Sequence, residues 1–173
     1  MSKARVLACL LTVSVAGFSA WKASEGFTES PVIPTKDDRP TIGHGSTKYE
    51  DGTPVKMTDP PITRERGEVL ARNLMTQDER RVIASIPGVK LHQEEFDLYM
   101  DFVGQYGVGN WRKSSMRDRL LEADYRGACR ALLNYRFAAK YDCSTRINGK
   151  PNKRCWGVWT RQLARYEKCM AAQ

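Results

Sequence analysis

The sequence predicts an α+β fold, with a small β part near the N-terminus and a larger helical body after it. Residues 26–62 are rich in Pro, Gly, Thr and Asp, with short β-type runs such as Pro40-Thr41-Ile42-Gly43 between turn signals, which reads as a small hairpin or sheet. From Thr63 onward, apolar residues recur at helical spacing. An uncharged run ahead of residue 24 predicts an apolar N-terminal helix.

Thr63 precedes a charged helix over 64–86, with Leu70, Leu74 and Val82 on one face, and Pro87-Gly88 ends it. Residues 93–106 form the clearest helix, because Phe96, Tyr99, Met100 and Val103 follow the i, i+3, i+4, i+7 rule. Gly107-Val108-Gly109-Asn110 breaks it. Ser114 or Ser115 caps a short helix through Leu121, and Asp124 caps another to about Ala139. A loop over 142–155 leads to a last helix with Trp159, Leu163, Tyr166 and Met170 in one stripe. There is no internal repeat.

The chain has 173 residues, enough for one domain with a sizeable core. Hydrophobic residues at 41% and charged residues at 28% exclude a disordered chain and a polytopic membrane protein. The net charge of +8 calls for an anionic partner: nucleic acid, anionic lipid or an acidic wall polymer. Lys3, Arg5 and Lys22 give residues 1–24 a charge of +3, and the seven cations against two acids in 142–173 give +5, so the middle is neutral. The run Val6 to Trp21 lies between Arg5 and Lys22 and is diluted by Ala, Gly, Ser and Thr. It is short for a spanning helix. It can be a cleaved signal peptide, an uncleaved signal-anchor or a buried core helix; the first two imply export.

Of five cysteines, Cys9 lies in this run and four lie in the last 45 residues. Export with an even set predicts two disulfides. Cys143 and Cys155 flank the turn Asn148-Gly149-Lys150-Pro151 and pair with each other, leaving Cys129 for Cys169. The absence of a close Cys pair or a nearby His argues against zinc. No phosphate loop, no GxSxG and no Cys–His arrangement for nucleophilic catalysis stands out, so carboxylate chemistry remains. Glu25, directly before Gly26, is the candidate for protonating a leaving oxygen, with a second group to hold or activate water.

Ser24-Glu25-Gly26-Phe27 followed by Arg39-Pro40-Thr41-Ile42-Gly43-His44-Gly45-Ser46-Thr47 resembles the active-site region of phage-type lysozymes, glycoside hydrolase family 24, where "EG" is followed by "PTIGYGHT". The segment from Gly107 through Trp111 to Ser115 is similar to "VGVGNFRSST", Leu120 to Ala128 to "LNAGDYxGA", and Gly157 to Arg161 to the late "GLxxR" motif. These matches run in order from about 24 to 165. Gln162 stands where a second Arg is usual, and Ser46 where the family often has His.

The resemblance implies a bilobal lysozyme fold that hydrolyses the β-1,4 bond between N-acetylmuramic acid and N-acetylglucosamine, with Glu25 as general acid, Thr41 positioning water, and no metal or cofactor. Fifteen residues separate Glu25 from Thr41 where the family has 14. Counting forward from Glu25 places the intervening acid at Pro34, and counting back from Thr41 places it at Thr35. Either a shifted acid, Asp37 or Asp38, serves there, or Thr35 helps to hold water. The apolar run before Glu25 resembles the signal-anchor-release endolysins. That resemblance implies residues 1–24 as an anchor, a catalytic domain over 25–173, export across the bacterial inner membrane, tethering to its periplasmic face through residues 6–21, and later release to the periplasm. Control is expected by tethering and refolding around Glu25 and not by thiol exchange from Cys9. The expected partner is peptidoglycan, bound by a monomer, with no nucleic acid. A lytic transglycosylase using Glu25 alone and a non-enzymatic basic wall-binding protein are the alternatives.

Overall fold

The computed structural model describes residues 4–35 and 38–173. It divides into two compact units, one of Thr12–Arg81 and one of the residues up to Leu11 with Val82–Gln173. The expected N-terminal anchor is shared between them: residues up to Leu11 belong to the second unit and 12–24 to the first.

In the first unit, helix α1 (Val15–Glu25) starts at Ser14, whose Oγ accepts from the Gly17 amide at 3.0 Å. It ends at Gly26, whose φ of 74° only glycine adopts easily. Strands β2 (Thr28–Val32) and β3 (Thr41–Gly43) pair antiparallel, with Thr28 opposite Gly43 and Val32 opposite Thr41. Between these pairs β2 carries more residues than β3, a bulge that takes in Pro31, which has no N–H for a ladder. Ile42, Val55 and Leu70 form the core beside Tyr49 and Ile62. Helix α2 (Arg64–Ser85) supplies Leu70 and lies directly on β3. A Cβ on Gly67 would stand 2.7 Å from the Phe27 ring, so only glycine permits this approach.

In the second unit, β1 (Val6–Leu7) pairs with β4 (Lys90–Leu91). Helix α3 (Gln93–Arg112) buries Phe96, Tyr99, Met100, Phe102, Val103 and Trp111. Gly107, at φ 79° and ψ 157°, interrupts it where the glycines predicted a break. Ser114 caps α4 (Ser115–Leu121), and Asp124 caps α5 (Tyr125–Ala131) through Gly127 N at 2.8 Å.

The helix expected to reach Ala139 stops at Ala131. After a short turn, β5 (Phe137–Ala138) and β6 (Tyr141–Asp142) form a hairpin, because Ala139 and Lys140 both take positive φ and turn the chain back. The expected loop contains β7 (Arg146–Ile147) and β8 (Lys150–Pro151), turned by Asn148 and Gly149 with positive φ. Helix α6 (Trp156–Ala171) closes the chain. Cys143 is joined to Cys155, and Cys129 of α5 to Cys169 of α6, the two pairs expected.

The apolar run is not one helix. Val6 and Leu7 use their backbone groups on β4, Ala8 N donates to Val89 O at 2.8 Å, a single 3-10 turn covers Ala8–Leu10, and α-helix begins only after Ser14. Ala8, Leu11, Phe18 and Trp21 are buried, while Leu10 and Val15 are exposed. Among the described residues, no helix is long and apolar enough to cross a membrane.

The buried face of α6 also differs from the expected stripe. Gln162, Arg165 and Cys169 are buried, with Trp159, Leu163, Tyr166 and Met170 half-buried beside them. Gln162 donates to Tyr106 Oη at 2.8 Å. Arg165 binds Asp101 at 2.6 Å and Gln105 at 2.7 Å, and Arg161 reaches the other Asp101 oxygen at 2.8 Å. Polar partners on α3 make this burial possible. Asp101→Asn would leave the Arg165 charge buried without its carboxylate. It is expected to destabilise the protein by about 3 kcal/mol in urea unfolding.

Candidate active site

The sequence candidates gather in the first unit. Glu25 is the last residue of α1 and is exposed. Gly26 N donates back to Lys22 O at 3.1 Å, and the chain turns at Gly26 into β2, so the carboxyl stands at the junction of helix and sheet. Two fastenings fix that junction. His44, which follows β3, forms a short hydrogen bond from Nδ1 to the Gly26 carbonyl. A carbonyl only accepts, so Nδ1 carries the proton. The His44 ring also lies 5.5 Å from the Phe27 ring, and Arg64 stands over Phe27 at 4.8 Å. On the other side, Lys22 of α1 pairs with Glu68 of α2, and Arg72 lies over the Phe18 ring at 4.2 Å.

Thr41 begins β3, half-buried, and its hydroxyl donates to Val32 O at 3.4 Å. The hydroxyl's lone pairs remain as acceptors for a water. Thr35 and Asp38 sit together in the β2–β3 connection: the Thr35 hydroxyl donates to Asp38 at 3.2 Å, and Arg39 N donates to the other carboxylate oxygen at 2.8 Å. Asp37 lies outside the described residues. The bulge in β2 lies between Glu25 and Thr41, where one extra residue can be absorbed without breaking the pairing at either end. Ser46, at the place of the family's histidine, is buried, and among the described residues its hydroxyl has no partner. No group of residues suited to a metal ion occurs among the described residues.

His44 is the residue that sequence reasoning missed. Sequence patterns mark a histidine as a nucleophile's base, whereas this one fastens the end of α1. Its signal was an imidazole where the family motif carries tyrosine.

A family model for phage lysozyme matches residues 22–169. The chain belongs to the phage lysozyme family. Its class is that of glycoside hydrolases of the lysozyme type. No curated protein sequence is significantly similar to it. Among solved structures, a point mutant of P22 lysozyme aligns with a TM-score of 0.70 at 22% identity, covering 92% of this chain and 99% of that one. The muramidase domain of SpmX from Asticaccaulis excentricus aligns at 0.68 and 21%, covering 92% and 97%. The endolysin from Escherichia coli O157:H7 phage FAHEc1 aligns at 0.65 and 23%, covering 94% and 96%. The fold is lysozyme-like.

Two outcomes follow from this geometry. His44→Ala frees the Gly26 carbonyl and the end of α1. It is expected to lower kcat on peptidoglycan several-fold with KM little changed, and to cost about 1 kcal/mol in thermal unfolding. Hydrogen bonding also holds several carboxyls below their ordinary range: Glu68 through Lys22, Glu50 through Arg66, and Asp59 through the Lys56 amide. Depressed groups contribute stability above their unfolded-state pKa and lose it as pH falls through the folded value. Asp78, raised by burial, acts in the opposite sense. Stability measured against pH is expected to decline below roughly pH 4, with Glu68→Gln reducing the slope.

Proposed function

We propose that the chain hydrolyses the β-1,4 bond between N-acetylmuramic acid and N-acetylglucosamine in peptidoglycan, as an endolysin causing lysis of the bacterial host. Family membership across residues 22–169, with Glu25 exposed at a fastened helix end, carries this reading. Glu25 in its protonated form donates to the glycosidic oxygen as the bond breaks. Thr41 accepts a hydrogen bond from the attacking water and aims the water's lone pair at the anomeric carbon, and the proton the water loses passes to a carboxylate or to solvent. Asp38, held by Thr35 and the Arg39 amide, is the available second carboxylate, and Thr35 the alternative second water ligand.

A second reading is favoured by one observation: no acid stands at 34 or 35, so Glu25 acting alone would form an anhydro product as a lytic transglycosylase. Non-enzymatic wall binding by the basic C-terminal part predicts no catalysis at all.

We further propose that residues 6–21 carry the enzyme across the inner membrane, tether it to the periplasmic face, and later leave the bilayer. The run is uncharged and flanked by Arg5 and Lys22, and it is diluted by small residues that a bilayer holds weakly. Membrane insertion would withdraw Phe18 and Trp21 from the first unit and Arg5 from the second, so the tethered and folded arrangements of this segment exclude each other. Three residues separate the run from Glu25, so a tethered chain would lack the α1 end that positions the acid.

Purified protein is expected to clear a peptidoglycan suspension. Glu25→Gln is expected to slow clearing by roughly 10²-fold or more with the melting temperature unchanged. Equal clearing by both would overturn the glycosidase reading. Mass analysis separates reducing ends, from hydrolysis, from anhydro ends. Fractionation of producing cells is expected to show the intact chain first in the membrane and later in the soluble periplasmic fraction.

A further inference from the structure

The double hairpin over 137–151 is an exposed surface with no part in the chemistry above. Its four strands have two residues each, too few to be stable alone. It is braced by the Cys143–Cys155 disulfide, by Cys143 N on Arg136 O at 2.8 Å and by Asn152 N on Thr145 O at 3.3 Å. This small rigid platform carries large apolar side chains outward: Phe137 is 53% exposed, Tyr141 46% and Ile147 59%. Ile147 sits at the tip of its hairpin, next to the Asn148-Gly149 turn.

The charge around these side chains is one-sided. Asp142 is the one acid between residues 136 and 156, and it is already paired with Arg136 at 3.0 Å. Lys140, Arg146, Lys150, Lys153 and Arg154 have no acidic partner among the described residues. Apolar tips surrounded by unpaired cations complement a surface with negative headgroups over an apolar interior. A sugar polymer or nucleic acid fits less well. Arg154 lies over the Tyr141 ring at 4.4 Å and Arg146 over the Trp156 ring at 5.5 Å, taking faces on which a sugar or base would stack. Ile147 offers neither a ring face nor a hydrogen bond.

We propose that the double hairpin docks on an anionic lipid bilayer through its tip at Asn148-Gly149, with Ile147 entering the headgroup boundary and Lys150, its partner across the hairpin, and Arg146 binding lipid phosphates. The docking is separate from the N-terminal run and independent of the muramidase reading.

The test is co-sedimentation of the soluble full chain with vesicles of phosphatidylcholine, with and without phosphatidylglycerol. The variants Ile147→Asp and Arg146→Gln/Lys150→Gln leave residues 6–21 and the Glu25 region untouched. Wild type is expected to bind the anionic vesicles selectively and to release with salt. Each neutralised cation is expected to weaken binding by roughly fivefold, and Ile147→Asp by roughly tenfold or more. Thermal melting verifies that the variants fold. Vesicle binding unchanged in folded variants overturns the proposal. So does a loss of binding to isolated peptidoglycan while vesicle binding stays the same, which would make the surface a wall contact.

Discussion

Glu95 is the constraint on which the second unit depends. It is fully buried, and a buried carboxylate without a cation costs several kcal/mol. Among the described residues, its stabilising groups come from the N-cap of its own helix, from Arg5 and from Gln173. The His92 amide donates at 2.8 Å, the Arg5 guanidinium forks onto both oxygens at 3.0 and 3.1 Å, and the amide of Gln173, the last residue, donates at 2.8 Å. Arg5 also donates to the Gln173 carbonyl oxygen at 2.7 Å and covers the Tyr125 ring at 3.8 Å. The neighbouring Tyr99 hydroxyl is pushed far up by burial and by the Glu95 charge, with Arg5 opposing. Charge balance in this core therefore rests on Arg5, with the Gln173 amide completing the hydrogen bonds of the carboxylate.

The N-terminal run gains a double meaning from that requirement. By composition it suits a bilayer or a protein core equally, with Arg5 as its flanking charge. In the folded protein the same arginine neutralises a core carboxylate, and Phe18 and Trp21 of the same run are buried. Hydropathy describes only what a segment can leave water for, and it does not distinguish lipid from protein interior. The Arg5–Glu95 contact spans 90 positions and leaves no periodic trace in the sequence. The single apolar helix expected there was therefore out of reach of local reasoning, although the individual buried residues were all apolar.

Elements closed by local chemistry were legible. Ser114 and Asp124 cap the helices assigned to them, Gly107 breaks α3, and the turn at Asn148-Gly149 lies between the cysteines that it was taken to join. The extent of α5 was not legible, because Ala139 and Lys140 adopt left-handed backbone that neither residue type favours. The buried face of α6 misled for a different reason. Arg165 and Gln162 look like solvent residues until Asp101, Gln105 and Tyr106 of α3 are placed opposite them. Polar burial is a property of pairs, and single-residue hydropathy does not contain it.

The same distinction governs the site. Glu25 and Thr41 could be named as candidates because each belongs to a contiguous motif, while the intervening group could not, because the spacing between those motifs differs by one residue from the pattern they resemble. The β2 bulge around Pro31 lies between the two motifs, and a bulge is a place where a strand can take up an extra residue. The consequence is chemical. A hydroxyl that aims a water needs no charge of its own, provided the acid on the other side of the bond is firmly placed. The His44 hydrogen bond to Gly26 and the Lys22–Glu68 pair supply that firmness from two directions. In the hydrolytic reading, a site built on one fastened acid and a water held by threonine does not depend on a fixed place for its second carboxylate, and the candidates for the second group, Thr35 and Asp38, are hydrogen-bonded to each other in the β2–β3 connection.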